Sequence, residues 1–176
     1  MSPQRPAVTP TVNIRREGPA DSYAVRRVND LAFGRPDEYQ IVEALRTNGG
    51  VTLSLVAEAE GEVVGHIMFS PVTIDGQYQA VALGPMAVLP EHQRRGIGSQ
   101  LVQAGLDTLR EEGHEALFVI GHLEYYPRFG FVPASRFGIR WERPVPDEAL
   151  MALELKPGAL AGKAGVVRYR PEFDML

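Results

Sequence analysis

The run LSLVAEAEGEVVGHIMFSPVTIDG, residues 53–76, constrains the fold of this chain more than any other stretch. Its period differs from the helical spacing on either side. It reads as two strands joined at Glu60-Gly61-Glu62, a tight hairpin in which glycine supplies the left-handed dihedrals. Gly76 marks the next turn, and YQAVALGPMAVLP (78–90) continues as a long apolar strand interrupted by Gly84-Pro85. Such an interruption predicts a bulge, or a place where strand pairing stops.

Helical patterns flank this strand block. After a short strand at VNIRREG (12–18), Pro19 stands at a tolerated first helical position. Residues 20–34 then carry Tyr23, Val25, Val28, Leu31 and Ala32 near helical spacing, with Gly34 as the stop. A second helix over 37–50 has Ile41, Val42 and Leu45 as its stripe, and a third over 99–113 turns Leu101, Val102, Leu106 and Leu109 inward. EALFVIG (115–121) reads as a buried strand, HLEYYPRFG (122–130) as a short helical or turn segment, and FVPAS (131–135) as another strand. The tail holds a strand, turns and a last extended segment. Helices and strands in this mixed order predict an α/β or α+β fold with a mixed sheet.

Composition removes several function classes. The chain has no cysteine, which excludes disulfides, thiolate metal sites and a cysteine nucleophile. His66, His92, His114 and His122 show no zinc-like spacing, so no metal is expected. A net charge of −4 lacks the basic footprint of a nucleic-acid binder. No apolar run approaches membrane-span length, and the N-terminus has no signal-peptide pattern, so a cytoplasmic protein is expected. Residues 1–11 read as a disordered leader, and 12–176 as one domain with a core over 12–141 and C-terminal strands and turns over 142–176.

Between the long strand and the third helix lies QRRGIG, residues 93–98. The first turn of a helix presents unpaired amides backed by the positive end of the macrodipole. Gly96 and Gly98 let an anion approach that backbone, and Arg94 and Arg95 add charge. The spacing fits neither the P-loop, which needs a lysine after its last glycine, nor the Rossmann fingerprint. A pyrophosphate is the natural guest; a basic surface turn and a nucleic-acid contact are the plainer alternatives.

MAVLPEHQRRGIG (86–98) resembles the Q/R-x-x-G-x-G/A motif of the GNAT superfamily, the CoA-dependent N-acyltransferases, and EALFVIG followed by YYPRFGF resembles that family's next strand and aromatic segment. The resemblance covers about residues 12–141, and the wording of LGPMAVLPEHQRRGIG, YYPRFGF and GALAGKAGVVRYRPEF is similar to the YhbS-like branch. It implies a mixed, mostly antiparallel sheet flanked by helices, with a splay between the central strands that holds acetyl-CoA. The implied cofactor contacts are Met86, Ala87 and Val88 for pantetheine, and Gln93, Arg94, Arg95, Gly96, Ile97, Gly98 and Ser99 for the pyrophosphate. Tyr126 and Arg128 are the implied contacts beyond that loop.

By the same resemblance Tyr126 is the general acid that protonates the departing thiolate, a role suited to a phenol with an ordinary pKa of about 10. Many family members carry a glutamate in the strand before the loop, whereas residues 80–90 here contain no titratable group. His122 and Glu124 are then the candidate bases. Tyr125, Phe129, Phe131 and Trp141 read most simply as core. Without cysteine, direct attack of an amine in a ternary complex is the expected route, and an acyl-CoA-binding sensor with little catalysis is the alternative. Arg136, Arg140 and Arg143 suggest an anionic acceptor or a solvated strand face. The expected partners are acetyl-CoA, an amine and a second copy in a homodimer, with neither nucleic acid nor membrane.

Overall fold

The computed structural model describes residues 11–175, so residues 1–10 of the expected leader lie outside the described residues. The strands are β1 (Asn13–Arg16), β2 (Leu53–Ala59), β3 (Glu62–Ile74), β4 (Tyr78–Val88), β5 (Ala116–Ile120), β6 (Val132–Pro133), β7 (Ile139–Trp141), β8 (Leu150–Glu154) and β9 (Gly165–Arg168). The α-helices are α1 (Ser22–Phe33), α2 (Asp37–Thr47) and α3 (Ile97–Glu111). The sheet runs in the order β1-β2-β3-β4-β5-β8-β6, with β9 pairing both β3 and β7. Only β4–β5 and β7–β9 are parallel among these pairs, so the sheet is mixed and mostly antiparallel, as the sequence implied.

The hairpin between β2 and β3 turns on Glu60 and Gly61 at φ 51° and 80°. Two consecutive positive φ values match the right-handed twist of the strands they join. The expected interruption in β4 is also present. Ile67 pairs with Met86 but Phe69 with Leu83, so Gly84 and Pro85 oppose Met68 alone. Proline offers no amide to the ladder, and a Cβ on Gly84 would lie 3.2 Å from the Met68 carbonyl oxygen. The bulge bends β4 where the strand leaves β5.

Helices cover both faces. On one, α3 buries Ile97, Leu101, Val102, Leu106 and Leu109 against the side of β3 that carries Gly65 and Phe69. Each fully buried side chain of this kind contributes roughly 1.5–3 kcal/mol. Closeness at the middle of α3 requires glycine, because a Cβ at Gly105 would lie 2.4 Å from the Phe69 ring. Gly105→Ala should therefore destabilise the protein by about 1–3 kcal/mol through overpacking, although helix propensity alone favours alanine by about 1 kcal/mol. Urea unfolding reads the difference, and a gain in stability would contradict the packing argument.

On the other face, α1 buries Val25 and Val28 and α2 buries Ile41, Val42 and Leu45. The expected α1 stripe was too broad: Tyr23 is 80% exposed and Leu31 49%. At 100° per residue both fall well off the line through Val25 and Val28. Asn29 takes part of that face instead, its Nδ2 lying 3.2 Å from Nδ1 of the fully buried His66. Burial, followed by the nearby Arg46 charge, lowers the His66 pKa to about 3. The ring is neutral at pH 7, and Ser54 Oγ sits 3.0 Å from its Nε2.

Candidate active site

Two concavities meet along the end of β4. The first is a cradle of about 370 Å³ at the start of α3. Gly96 takes φ 82°, and the first intrahelical bond runs from the Gln100 amide to the Gly96 carbonyl. The amides of Ile97, Gly98 and Ser99 therefore have no partner within the helix. Arg94 is also left-handed, at φ 63°, and the Gln93 side chain donates to the Val88 carbonyl at 2.9 Å. That bond ties the loop to β4, so the Gln93 side chain serves as a clamp.

Arg94 and Arg95 are exposed, and Arg94 lines the cradle. Arg128 lines its far wall; its guanidinium lies 4.4 Å from the Tyr125 ring centroid and its Nε donates to the Tyr125 carbonyl at 2.9 Å. Two of the named positions contribute differently from their neighbours. The Ile97 side chain is buried in the core, and Ala87 stands opposite His66 on the face covered by α1. Only their backbones are available to a ligand, because alternate strand residues face opposite sides and the first turn of α3 needs an apolar anchor.

The second concavity is a chamber of about 410 Å³. Leu83, Gly84, Pro85 and Met86 form one wall, and Ile120, Gly121, His122 and Tyr126 the opposite one. Pairing between β4 and β5 is confined to Val81↔Leu117 and Ala82↔Phe118. Beyond those pairs the strands diverge, so Met86 and Val88 present backbone that β5 does not occupy.

Adjacent tyrosines divide between the two spaces. Tyr125 lines the cradle, its hydroxyl 3.0 Å from Ser99 Oγ, and Tyr126 lines the chamber. Their rings stand nearly perpendicular, with centroids 5.1 Å apart. Burial, then the neighbouring Tyr125 phenol, pushes the Tyr126 pKa up to about 12. Gly121 leaves room for the Tyr126 ring, since a Cβ there would lie 2.3 Å from it. Of the two candidate bases, His122 lines the chamber at its mouth, whereas Glu124 is exposed and lines neither space.

A helix start with amides unpartnered within the helix, a diverging strand pair and two adjacent tyrosines lie around the end of β4. Residues 21–131 match the model of the acetyltransferase (GNAT) family. The chain belongs to the GNAT family. The uncharacterized N-acetyltransferase YhbS of Escherichia coli K12 is 36% identical over 163 residues, covering 92% of this chain and 98% of that protein. The crystal structure of E. coli YhbS in complex with CoA superposes with a TM-score of 0.89 at 35% identity, over 93% of this chain and 92% of the other. A Brucella melitensis GNAT acetyltransferase in complex with acetyl-CoA gives a TM-score of 0.79 at 38% identity, over 93% and 99%.

Several residues lining the two concavities were not legible as such in the sequence. Tyr125 and Trp141 pack against the core as expected, and in addition Tyr125 lines the cradle and Trp141 the chamber. Glu38, Tyr169 and Phe173 line the chamber from distant parts of the chain. Tyr125 alone had a local signal: it precedes Tyr126 in a tight turn, where consecutive side chains diverge by about 120°. Among the described residues no cluster of His, Cys, Asp or Glu suits a metal ion, and no helix is long and apolar enough to cross a membrane.

Proposed function

We propose that this protein transfers the acetyl group of acetyl-CoA to an amine bound in the chamber, by direct attack within a ternary complex. The observation that carries the reading is the divergence of β4 from β5 after Ala82↔Phe118, between a cradle with unpartnered helix amides and a chamber lined by a neutral phenol. The residues fit the cosubstrate: amides of Ile97, Gly98 and Ser99, with Arg94 and Arg128, suit the pyrophosphate, and the backbone of Met86 and Val88 suits the pantetheine arm. When bound, acetyl-CoA supplies an activated thioester. Tyr126 holds a proton for the departing thiolate. His122 is positioned on the chamber wall to take, directly or through water, the proton the amine gives up as a carbon–nitrogen bond replaces the carbon–sulfur bond. The chain has no cysteine to carry an acyl group, which favours a single transfer over a thioacyl-enzyme route.

The test is titration of purified protein with acetyl-CoA, followed by measurement of CoA release against amino acids, peptides, polyamines and small monoamines. Saturable binding with amine-dependent release is expected. Binding without release from any amine would favour a second reading, an acyl-CoA sensor, for which the lack of a titratable group over residues 80–90 speaks.

A further inference from the structure

Phe173 reaches the chamber from the C-terminal segment and packs on the bulge of β4. A Cβ added at Gly84 would lie 3.3 Å from its Cζ and 3.6 Å from its Cε1, so the edge of the ring rests on the bulge backbone. The ring is 6% exposed and is held from several sides. Tyr169 packs edge-on against it at a centroid distance of 5.3 Å, and Trp141 packs against Tyr169 at 5.6 Å. The Phe173 amide donates to the Arg170 carbonyl at 3.1 Å, and Glu172 Oε1 accepts from Asn48 Nδ2 at 3.3 Å. Val88 lines the cradle, whereas Met86 and Gly84 line the chamber. These three are the partly exposed positions at the end of β4, alternating with buried ones. At about 3.3 Å per residue, Gly84 stands roughly 13 Å along the strand from Val88.

We infer that Phe173 sets the length of the acyl group this protein accepts, its ring acting as a stop that admits acetyl and turns away butyryl and longer chains. This rests on the acetyl-transfer reading above. An arm laid on the backbone of Val88 and Met86 carries its thioester toward Gly84, the next partly exposed position of β4. There the acyl carbons head into the edge of the Phe173 ring that covers the bulge. Packed interiors yield little, and this ring is braced by Tyr169 and by the ties of its segment to the end of α2. A longer chain must displace the ring or turn across the chamber of about 410 Å³, into the space the amine needs. One methylene group too many in an apolar pocket is worth roughly 10–200-fold in discrimination, so the stop is selective without any polar contact.

The test titrates CoA, acetyl-CoA, butyryl-CoA and hexanoyl-CoA calorimetrically into the full-length protein, with no amine present. Acetyl-CoA is expected to bind at least tenfold more tightly than hexanoyl-CoA, with butyryl-CoA between them. Phe173→Ala should tighten hexanoyl-CoA at least tenfold while leaving CoA within twofold. Phe173→Leu, which keeps much of the apolar volume, should move the preference the same way by a smaller factor. It carries the comparison if the alanine variant does not fold, and the ratio in the parent protein stands without either. Phe33→Ala, on the α1 side of the chamber, should leave the acetyl-to-hexanoyl ratio within twofold, which separates a removed stop from a loosened chamber. Equal binding of acetyl- and hexanoyl-CoA by the parent protein, a ratio unmoved by the Phe173 variants, or one moved as far by Phe33→Ala overturns the inference and leaves the transfer reading standing. Failure of CoA and all three esters to bind sinks the transfer reading, and the inference with it.

Discussion

Tyr126→Phe is expected to lower kcat by about 10²-fold or more, with acetyl-CoA affinity changed by no more than twofold. General acid catalysis by a positioned side chain is worth roughly 10²–10⁴-fold, and phenylalanine removes the proton while keeping the ring. The ring is what the fold uses: it fills the space over Gly121 and packs edge-on against Tyr125 and Phe131, at centroid distances of 5.1 and 5.6 Å. The variant should therefore fold normally. A pKa raised to about 12 adds a second readout. A group that loses its proton only near pH 12 contributes no fall in rate between pH 7 and 10, so any alkaline limb in that window belongs to another group. Stopped-time CoA release with the best amine measures both. Unchanged turnover in the phenylalanine variant would remove Tyr126 from the chemistry.

Gly98→Ala should weaken acetyl-CoA binding at least tenfold, about 1.4 kcal/mol, while leaving stability nearly unchanged. A Cβ at Gly98 would lie 3.6 Å from the Tyr125 hydroxyl and 3.9 Å from Met86 Sδ. These are ordinary contacts, so the protein tolerates the methyl group, which then occupies the cradle where an anion approaches the amides. Gly96→Ala makes a useful contrast. Nothing lies within 4 Å of its added Cβ, but φ 82° is strained for alanine, so the cost falls first on loop conformation and stability. Calorimetric titration and thermal unfolding on both variants separate a filled cradle from a distorted one. Equal acetyl-CoA affinity in Gly98→Ala and the parent protein would show that the anion does not approach that amide.

The turn between β4 and α3 was legible because its determinants are local. Gln93, Gly96 and Gly98 set backbone geometry within one turn, and the strand before and helix after them follow from hydrophobic period. The bulge at Gly84-Pro85 was visible for the same reason, since a missing amide and a missing side chain act where they stand. Inward and outward facing positions were harder. Tyr23 and Leu31 fit a loose helical spacing yet stay exposed, because the face that packs is selected by the sheet beneath it. Ala87 and Ile97 lie within the motif but turn their side chains into the core.

The chamber could not be read from any one segment. Phe33 and Glu38 come from the end of α1 and the start of α2, Trp141 and Arg143 from β7 and the residues after it, and Tyr169 and Phe173 from the C-terminal end. That last segment is held in place by Arg170, which pairs with Glu172 and donates to the Asn48 carbonyl at the end of α2. By itself, then, the sequence determined the strand-rich centre, the glycine-bearing turn into α3 and the family, all of which depend on neighbours along the chain. Only the tertiary structure decided that Glu38, Trp141 and Tyr169 line one chamber, because a shared concavity is a property of residues that meet across the fold.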